Sequence, residues 1–192
     1  MISLERFKPH TFPGEIGEGL FMSHSHEYDE LTLILDGEGY YSSQQQNMKV
    51  VAGDLLLIPS RLHHGFVCTA PWQGVSVHFH HQMLPAHCQH IFRDVEREPR
   101  RIGGAHLEAD DLHWAEISFL QLEKAWQADE RTVDSSNLMR IALETALLLY
   151  QRHRTVLPSS DIATDQAIVE EVLKEIHAGY NTPITVHELA AR

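Results

Sequence analysis

Basic residues are scarce in this chain of 192 residues. Lys and Arg number 15 against 27 Asp and Glu, and the formal net charge is −12. A chain this acidic binds a nucleic-acid backbone poorly, because phosphates are neutralised by Lys and Arg. It is equally unsuited to an anionic membrane surface. We therefore expect that this chain does not bind DNA or a membrane by itself.

Cysteine and long apolar runs are scarce as well. Cys68 and Cys88 are the two cysteines, and without CxxC or metal-knuckle spacing we expect both to be reduced thiols. No segment approaches about 18 uninterrupted apolar residues, so no membrane-spanning helix is predicted. The first residues carry an early acid rather than the apolar run of a signal peptide. These absences predict a cytoplasmic protein.

From about residue 15 to 82 the chain has the pattern of short strands. Strand-like segments at 31–35, 48–51, 55–58, 66–68 and 75–80 are separated by turn residues, and no helical period lies between them. Short strands at such spacing are typical of an antiparallel barrel or sandwich.

After about residue 108 the apolar residues recur at helical spacing. Two stripes share this spacing: Leu112, Ala115, Phe119, Leu122 and Trp126, then Leu138, Ile141, Ala142, Thr145, Leu148 and Leu149. The stripes either complete the core or form a subunit interface, and the sequence leaves both interpretations open.

A third helix is predicted from about 164 to 177. Thr185 and Glu188 then have the spacing of a capping box, in which each side chain bonds the other's backbone amide. A well-specified helix therefore begins at Thr185, within two turns of the last residue. We expect the chain to end just inside a further domain.

Histidine is abundant, with 15 residues, and the most informative histidines lie in the segment 24–30. If this segment is extended, its even-numbered residues share one face, because strand side chains alternate; they are His24, His26, Tyr28 and Glu30. Two imidazoles and a carboxylate that converge on one point are ligands for Fe, Mn, Ni, Cu or Zn. His64 supplies a third nitrogen if its strand is a neighbour.

These residues carry a family resemblance. His24-x-His26-x3-Glu30-x6-Gly37 resembles the first signature motif of the cupin superfamily, with Glu18 where a glycine is expected upstream. Gly53-x5-Pro59-x4-His64 resembles the second motif, with Arg61 in place of a glycine and Cys68 in place of an asparagine. The resemblance implies a small antiparallel β-barrel whose mouth holds the three histidines and the glutamate.

A second resemblance concerns the subtype. The stretch GDLLLIPSRLHH at 53–64 is similar to sensor domains of AraC/XylS-family transcription regulators, and Val77-His78-Phe79 resembles the strand that follows there. The segment from Asp165 to Arg192 resembles the start of that family's helix-turn-helix DNA-binding domain. Both recognition helices of such a domain are absent from these 28 residues, so DNA binding is expected only through a C-terminal domain largely outside this chain.

The resemblance implies a mainly β fold with appended α structure. It consists of a cupin-like antiparallel β-barrel (a double-stranded β-helix) followed by two to three helices. The expected divisions are 1–95 for the effector-binding barrel, 105–157 for a helical dimerisation segment and 162–192 for the truncated DNA-binding domain. The protein would be the sensing portion of a bacterial regulator that binds a small polar metabolite, by family analogy a sugar, and forms a homodimer.

Three interpretations of the clustered site residues stay open. The four residues His24, His26, Glu30 and His64 bind a divalent metal ion (Zn, Ni, Mn or Fe), or they line an effector pocket, or they are a relic of the fold. Tyr28, Tyr40 and His78 are further candidate effector contacts. Glu30 is the most discriminating position, because a buried carboxylate without a cation or donors is costly.

The regulator interpretation predicts that the chain is not an enzyme. The alternative is a small metal-dependent cupin enzyme, a dioxygenase or sugar isomerase. In that case the same four residues are metal ligands, and an open coordination position receives the substrate.

Overall fold

The structure, a computed structural model, describes residues 2–7, 24–43, 47–68, 73–97, 104–128 and 132–155. The chain divides into two compact units, Met1–Leu157 and Pro158–Arg192, and all described residues belong to the first. The helix predicted at 164–177, the capped helix that begins at Thr185 and the predicted domain 162–192 lie outside the described residues. The three-domain division stays a prediction.

Eight strands form two antiparallel sheets in the described part of the chain. They are β1 (Ser3–Phe7), β2 (Asp29–Asp36), β3 (Glu38–Ser43), β4 (Asn47–Val51), β5 (Asp54–Ile58), β6 (His64–Cys68), β7 (Gln73–Phe79) and β8 (Gly104–His106). The larger sheet has the order β1-β7-β2-β5-β8, and the smaller has the order β4-β3-β6. The predicted mainly antiparallel β fold is confirmed.

Strand β2 is buried on both faces, which explains its nearly continuous apolar sequence. Leu31 and Leu33 belong to the larger hydrophobic cluster, which also contains residues of the helices. Ile34 belongs to a second cluster that joins residues of both sheets, including Leu56 and Tyr41. One face of β2 therefore packs toward the helices, and the other lines the interior between the sheets.

In the same part of the chain, three α-helices accompany the sheets: α1 (Ala86–Arg97), α2 (Ala109–Gln127) and α3 (Val133–His153). A short 3-10 helix, His81–Met83, precedes α1. A capping box begins α3, because the Thr132 side chain accepts from the Ser135 amide and the Ser135 hydroxyl accepts from the Thr132 amide. The two helices predicted after residue 108 are thus confirmed. Among the described residues, no helix is long and apolar enough to cross a membrane.

The predicted stripe of α2 is core. Ala115, Phe119 and Leu122 are buried, and Leu112 and Trp126 pack against the same cluster. This outcome selects the core interpretation for α2.

The predicted stripe of α3 divides into two parts. Ala142 and Leu149 are buried in the core, whereas Leu138, Ile141 and Leu148 are 56%, 54% and 46% exposed. The exposed three follow one another at spacings of three and seven, so they form one apolar line along the helix. We call them the α3 line.

Helix α1 and strands β1 and β8 were not anticipated from the sequence. In α1 the buried residues are Cys88, Ile91 and Phe92, and this short apolar stripe lies among histidines and charged residues. Cys88 is a free, buried cysteine. Strand β1 pairs with β7, so Ser3 lies opposite His78. A pairing between segments this far apart leaves no local sequence pattern from which the strand could be predicted.

Candidate metal and effector site

Backbone hydrogen bonds tie the segment before β2 to strand β6. The His24 amide donates to the His64 carbonyl, and the His64 amide donates to the His24 carbonyl, both at 2.9 Å. The Arg61 amide donates to the His26 carbonyl at 2.7 Å. The His24 and His64 rings consequently lie 4.5 Å apart between centroids. The two predicted motifs therefore meet at one place.

Glu30 is the centre of this cluster. Its side chain is 4% exposed, and its Oε2 lies 2.9 Å from His26 Nε2. The Nε2 atoms of His64 and His78 each lie 3.4 Å from the same oxygen. One ligand atom each from His24, His26, Glu30 and His64 can be chosen so that all lie within 4.8 Å of one another. The structure thus brings the four predicted metal ligands together.

Backbone carbonyls fix the protonation of two imidazoles. His26 Nδ1 lies 2.7 Å from the Tyr28 carbonyl oxygen, and His64 Nδ1 lies 2.9 Å from the Leu62 carbonyl oxygen. Because a carbonyl can only accept, each Nδ1 carries a hydrogen, and the neutral ring then has a lone pair on Nε2. Both Nε2 atoms therefore direct lone pairs at Oε2 of Glu30. Such an arrangement needs a proton or a cation between the atoms.

The geometry fits a metal ion. Two ligand atoms that each lie about 2.1 Å from one ion are about 3.0 Å apart at octahedral angles and about 3.4 Å apart at tetrahedral angles. The separations of 2.9 and 3.4 Å between Glu30 Oε2 and the imidazole nitrogens match these values. His64 Nε2 is also a buried atom without a hydrogen-bond partner among the described residues. Bonds from Nδ1 to backbone carbonyls are the usual support of metal-ligating histidines.

Two hydroxyls hold the other oxygen of Glu30. Thr32 Oγ1 donates to Oε1 at 2.5 Å, and Ser76 Oγ lies 2.8 Å from the same oxygen. The two hydroxyl oxygens are themselves 2.6 Å apart. Thr32 was missed in the sequence analysis, although its position two residues after Glu30 places it on the same strand face.

Burial and hydrogen bonding act in opposite directions on the titration of the cluster. Burial alone would raise the pKa of Glu30, but the adjacent imidazoles, His26 first, and the hydrogen bond from Thr32 lower the pKa well below its ordinary value. Burial would lower the pKa of His26, yet the hydrogen bond and the charge of Glu30 leave that pKa raised. Glu30 is therefore ionised at neutral pH, and His26 holds a proton more readily than a free imidazole.

Two of the predicted effector contacts border the cluster. The Tyr28 ring stacks on His26 at 4.1 Å between centroids with an interplanar angle of 11°, and it lies 4.6 Å from the His78 ring. His78 lies opposite Glu30 in the register of β7 and β2. The sequence did not determine which face of β7 carries His78. The pairing of β7 with β2 places His78 on the interior face, opposite Glu30.

Tyr40 has a different position. It is 47% exposed, and because strand side chains alternate, its neighbour Tyr41 faces the interior instead. Tyr41 is fully buried, and its ring lies 6.2 Å from the His64 ring. Burial raises the pKa of Tyr41. Its hydroxyl has no hydrogen-bond partner within the described part of the chain. The role of Tyr28, Tyr40 and His78 in effector binding stays a prediction.

The glycine position of the second motif keeps its glycine-like backbone. Arg61 has a φ of +65°, a left-handed conformation that glycine adopts freely and other residues adopt at a cost. Its side chain is held by Glu27, whose Oε2 lies 2.8 Å from Nε and 2.7 Å from Nη2. The substitution of arginine for glycine thus leaves the turn intact.

A second buried carboxylate anchors the chain after β7. Asp29 Oδ2 accepts from the His81 amide at 3.0 Å and lies 2.9 Å from His81 Nδ1. Its Oδ1 accepts from the Ser60 amide at 3.2 Å. Asp29 therefore joins the loops on both sides of β2, and the sequence analysis did not anticipate this role.

Comparison with known proteins identifies the class of domain. Residues 9–78 match the Cupin_2 family, described as a cupin domain. The chain thus contains a cupin domain, and its antiparallel sheets with appended helices are a cupin-like fold.

The similarities to individual proteins are partial. The chain is 38% identical over 56 residues to an acireductone dioxygenase of Leishmania braziliensis, covering 27% of this chain and 16% of that protein. It is 37% identical over 54 residues to an acireductone dioxygenase of Drosophila pseudoobscura pseudoobscura, covering 26% and 29%. The chain therefore spans less than a third of the length of these curated relatives.

One solved structure covers more of the chain. The AraC-like transcriptional activator CuxR superposes with a TM-score of 0.48 and 9% identity, covering 85% of this chain and 55% of that one. A superposition at this level carries no argument about function.

These comparisons correct one prediction. The sequence analysis expected that the chain is not an enzyme, and that prediction is contradicted by the similarity to acireductone dioxygenases. The matches are short, so they do not place the dioxygenase alternative above the regulator.

Proposed function

We propose that the chain is the effector-sensing and dimerisation portion of an AraC-type transcription regulator, with a divalent metal ion in its effector site. The metal ligands are His24, His26, Glu30 and His64. The observation that carries the site is the buried Oε2 of Glu30, which lies 2.9 Å from His26 Nε2 and 3.4 Å from His64 Nε2. The regulator is supported by the sequence resemblance at 53–64 and 77–79.

The donor set favours a borderline transition metal. Imidazole nitrogens suit Zn, Ni and Fe, and a carboxylate adds affinity for Mn. When bound, such an ion supplies a Lewis-acidic position for an oxygen atom of the effector. The residues bordering the cluster, Tyr28 and His78, would then contact the rest of a small polar metabolite, with sugars the first class to test.

Metal binding is tested by equilibrium dialysis of the purified protein against Zn²⁺, Ni²⁺, Mn²⁺ and Fe²⁺ separately. We expect one equivalent in the wild type and loss of binding in His64→Ala. His113→Ala is the matched control, because His113 is an exposed histidine of α2. Equal binding by wild type and His64→Ala would contradict the site.

Effector binding is tested by thermal unfolding of the metal-loaded protein with a panel of monosaccharides and hydroxy acids. We expect a concentration-dependent rise in Tm for at least one compound and none in His64→Ala.

The regulator itself is tested by reading the source gene beyond codon 192. About a hundred further codons with a second helix-turn-helix pattern would support it, and a stop codon would remove it.

The proposed homodimer uses the α3 line. Leu138, Ile141 and Leu148 are half exposed, apolar and aligned, and a second copy of α3 can cover them by self-complementary packing. Light scattering should show a dimer for the wild type and for the control Val133→Glu, which changes an exposed residue at the start of α3. The double variant Ile141→Glu with Leu148→Glu should be a folded monomer. A dimeric double variant would remove this interface.

The design of that test depends on burial. Leu148 and Leu149 both belong to the apolar stripe predicted for α3, so a double variant of these two residues is the obvious test of the interface. Leu149 is 9% exposed, so a glutamate there would disrupt the core and confuse unfolding with dissociation. Ile141 avoids this difficulty because it is exposed.

The second candidate function is a metal-dependent dioxygenase. It is favoured by the partial similarity of the chain to acireductone dioxygenases. Oxygen uptake by the Fe²⁺-loaded or Ni²⁺-loaded protein with an acireductone as substrate would support it, provided that His64→Ala loses the uptake and His113→Ala retains it. No uptake by protein shown to hold one equivalent of metal would contradict it.

A further inference from the structure

We propose that Thr32 and Ser76 are positioning residues of the metal site, whose hydroxyls hold Oε1 of Glu30 so that Oε2 alone faces the cation. The inference rests on the proposed metal site. It assigns a role to Thr32, at an unspecified position of the first motif, and to Ser76, which lies outside both motifs.

The strand register places these side chains together. Thr32 lies opposite Ser76, and Glu30 lies opposite His78, in the antiparallel pair of β2 and β7. Because residues two apart on a strand share a face, all four point into the interior. Thr32 is fully buried and Ser76 is 2% exposed. Water therefore does not compete for their hydroxyl groups.

The number of available protons requires that at least one of the two hydroxyls donates a hydrogen bond to the Glu30 carboxylate. The three contacts among Thr32 Oγ1, Ser76 Oγ and Glu30 Oε1 measure 2.5, 2.6 and 2.8 Å. The two hydroxyls bring two protons to these three contacts, and an ionised carboxylate brings none. In every arrangement that uses both protons within the triangle, Oε1 accepts at least one hydrogen bond. Oε1 of Glu30 is consequently occupied as a hydrogen-bond acceptor.

The two oxygens of Glu30 therefore differ in their surroundings. Oε1 faces the hydroxyls, whereas Oε2 faces Nε2 of His26, His64 and His78. A carboxylate held in this way offers a cation one oxygen rather than two. Without the hydroxyls, Oε1 would lose its donors and the carboxylate could turn, which weakens binding and changes the number of ligand atoms.

The experiment compares metal affinity and coordination in matched variants. Thr32→Val removes one hydroxyl at nearly constant shape, and Ser76→Ala removes the other. Thr32→Ser is the conservative control, because it keeps the hydroxyl and loses only a methyl group. Affinity for Co²⁺ is measured by competition with a chelator, and the visible absorption of bound Co²⁺ reports its coordination number. Thermal unfolding of the metal-free proteins shows whether each variant is folded.

We expect Thr32→Val and Ser76→Ala each to bind Co²⁺ about tenfold to about a hundredfold more weakly, with a changed visible spectrum. Thr32→Ser should keep the wild-type affinity and spectrum. Wild-type affinity and spectrum in both hydroxyl-free variants would overturn the inference while the metal site stands. If the wild type binds no Co²⁺, the proposed metal site falls and the inference falls with it. Should Thr32→Val fail to fold, Ser76→Ala decides alone, since it removes a single oxygen atom.

Discussion

Metal affinity should depend on pH through His26. The pKa of His26 is raised above its ordinary value of 6.5, because the hydrogen bond and charge of Glu30 outweigh burial. A protonated imidazole cannot bind a metal, so the ion must displace this proton at any pH below the raised pKa. The pKa of Glu30 is lowered well below 4.5, so the carboxylate contributes no proton near neutrality.

The size of the effect follows from the number of protons displaced. One proton changes the apparent affinity by about tenfold, or about 1.4 kcal/mol, for each pH unit below the pKa of the displaced group. The Kd for Ni²⁺ should therefore fall at least about a hundredfold between about pH 4.5 and about pH 6.5. Above the raised pKa the contribution of His26 should level off.

The assay is chelator competition at constant free Ni²⁺ and constant ionic strength. His26→Ala is the variant to compare, because it removes the group with the raised pKa while leaving His24, His64 and Glu30. Its binding should be weaker and its pH dependence shallower by about one proton. A wild-type Kd that does not change over this pH range would refute the reasoning, since the ion would then not replace a proton on His26.

Three further predictions concern stability. In the metal-free protein, Glu30 stabilises the fold above pH 4.5, and this stabilisation is lost as pH falls through the lowered pKa of Glu30. His26 stabilises the fold below pH 6.5, and this stabilisation is lost as pH rises through the raised pKa of His26. The urea unfolding midpoint should therefore be highest between these pH values, and a midpoint that does not vary with pH would contradict the assignment. Gly53→Ala should lose about 1 to 3 kcal/mol in urea unfolding, because φ is +91° and a Cβ would lie 2.9 Å from the Leu107 carbonyl oxygen; an unchanged midpoint would show that the turn relaxes. Arg61→Val should be about 1 to 2 kcal/mol less stable than Arg61→Gly, because both lose the ion pair and only glycine accepts the left-handed turn; equal midpoints would mean that this turn is not left-handed.

The sequence predicts the parts of the fold that depend on local pattern. Alternation and turn residues indicate most of the strands, and the spacing of apolar residues indicates α2 and α3. Strand β1 is different, because the partner it has among the described strands is β7, about seventy residues away in the chain. Helix α1 has only a short apolar stripe among polar residues. Neither element has a local pattern strong enough to predict it.

The sequence motifs predict the central residues of the candidate site but not the side chains that surround them. The spacing of the two motifs identifies the four proposed ligand residues, which the structure brings together. The faces of β7 and β3 depend on register, and register is set by pairing between distant segments. This is why the inward position of His78, the hydroxyl of Ser76 and the exchange of Tyr41 for Tyr40 emerge only from the structure. Thr32 is different, because strand alternation alone places it on the same face as Glu30.

The placement of the site suggests how a ligand could influence the helices. Glu30 and Thr32 alternate along β2 with Leu31 and Leu33, which belong to the hydrophobic cluster shared with α2 and α3. The same strand therefore carries the proposed metal site on one face and helix-packing residues on the other. Because close-packed interiors resist compression, a shift of β2 that accommodates a ligand must be met by the helices. The α3 line lies on the outer side of that helix layer. In the proposed sensor, this arrangement would pass a ligand-induced shift of β2 to the proposed dimer interface.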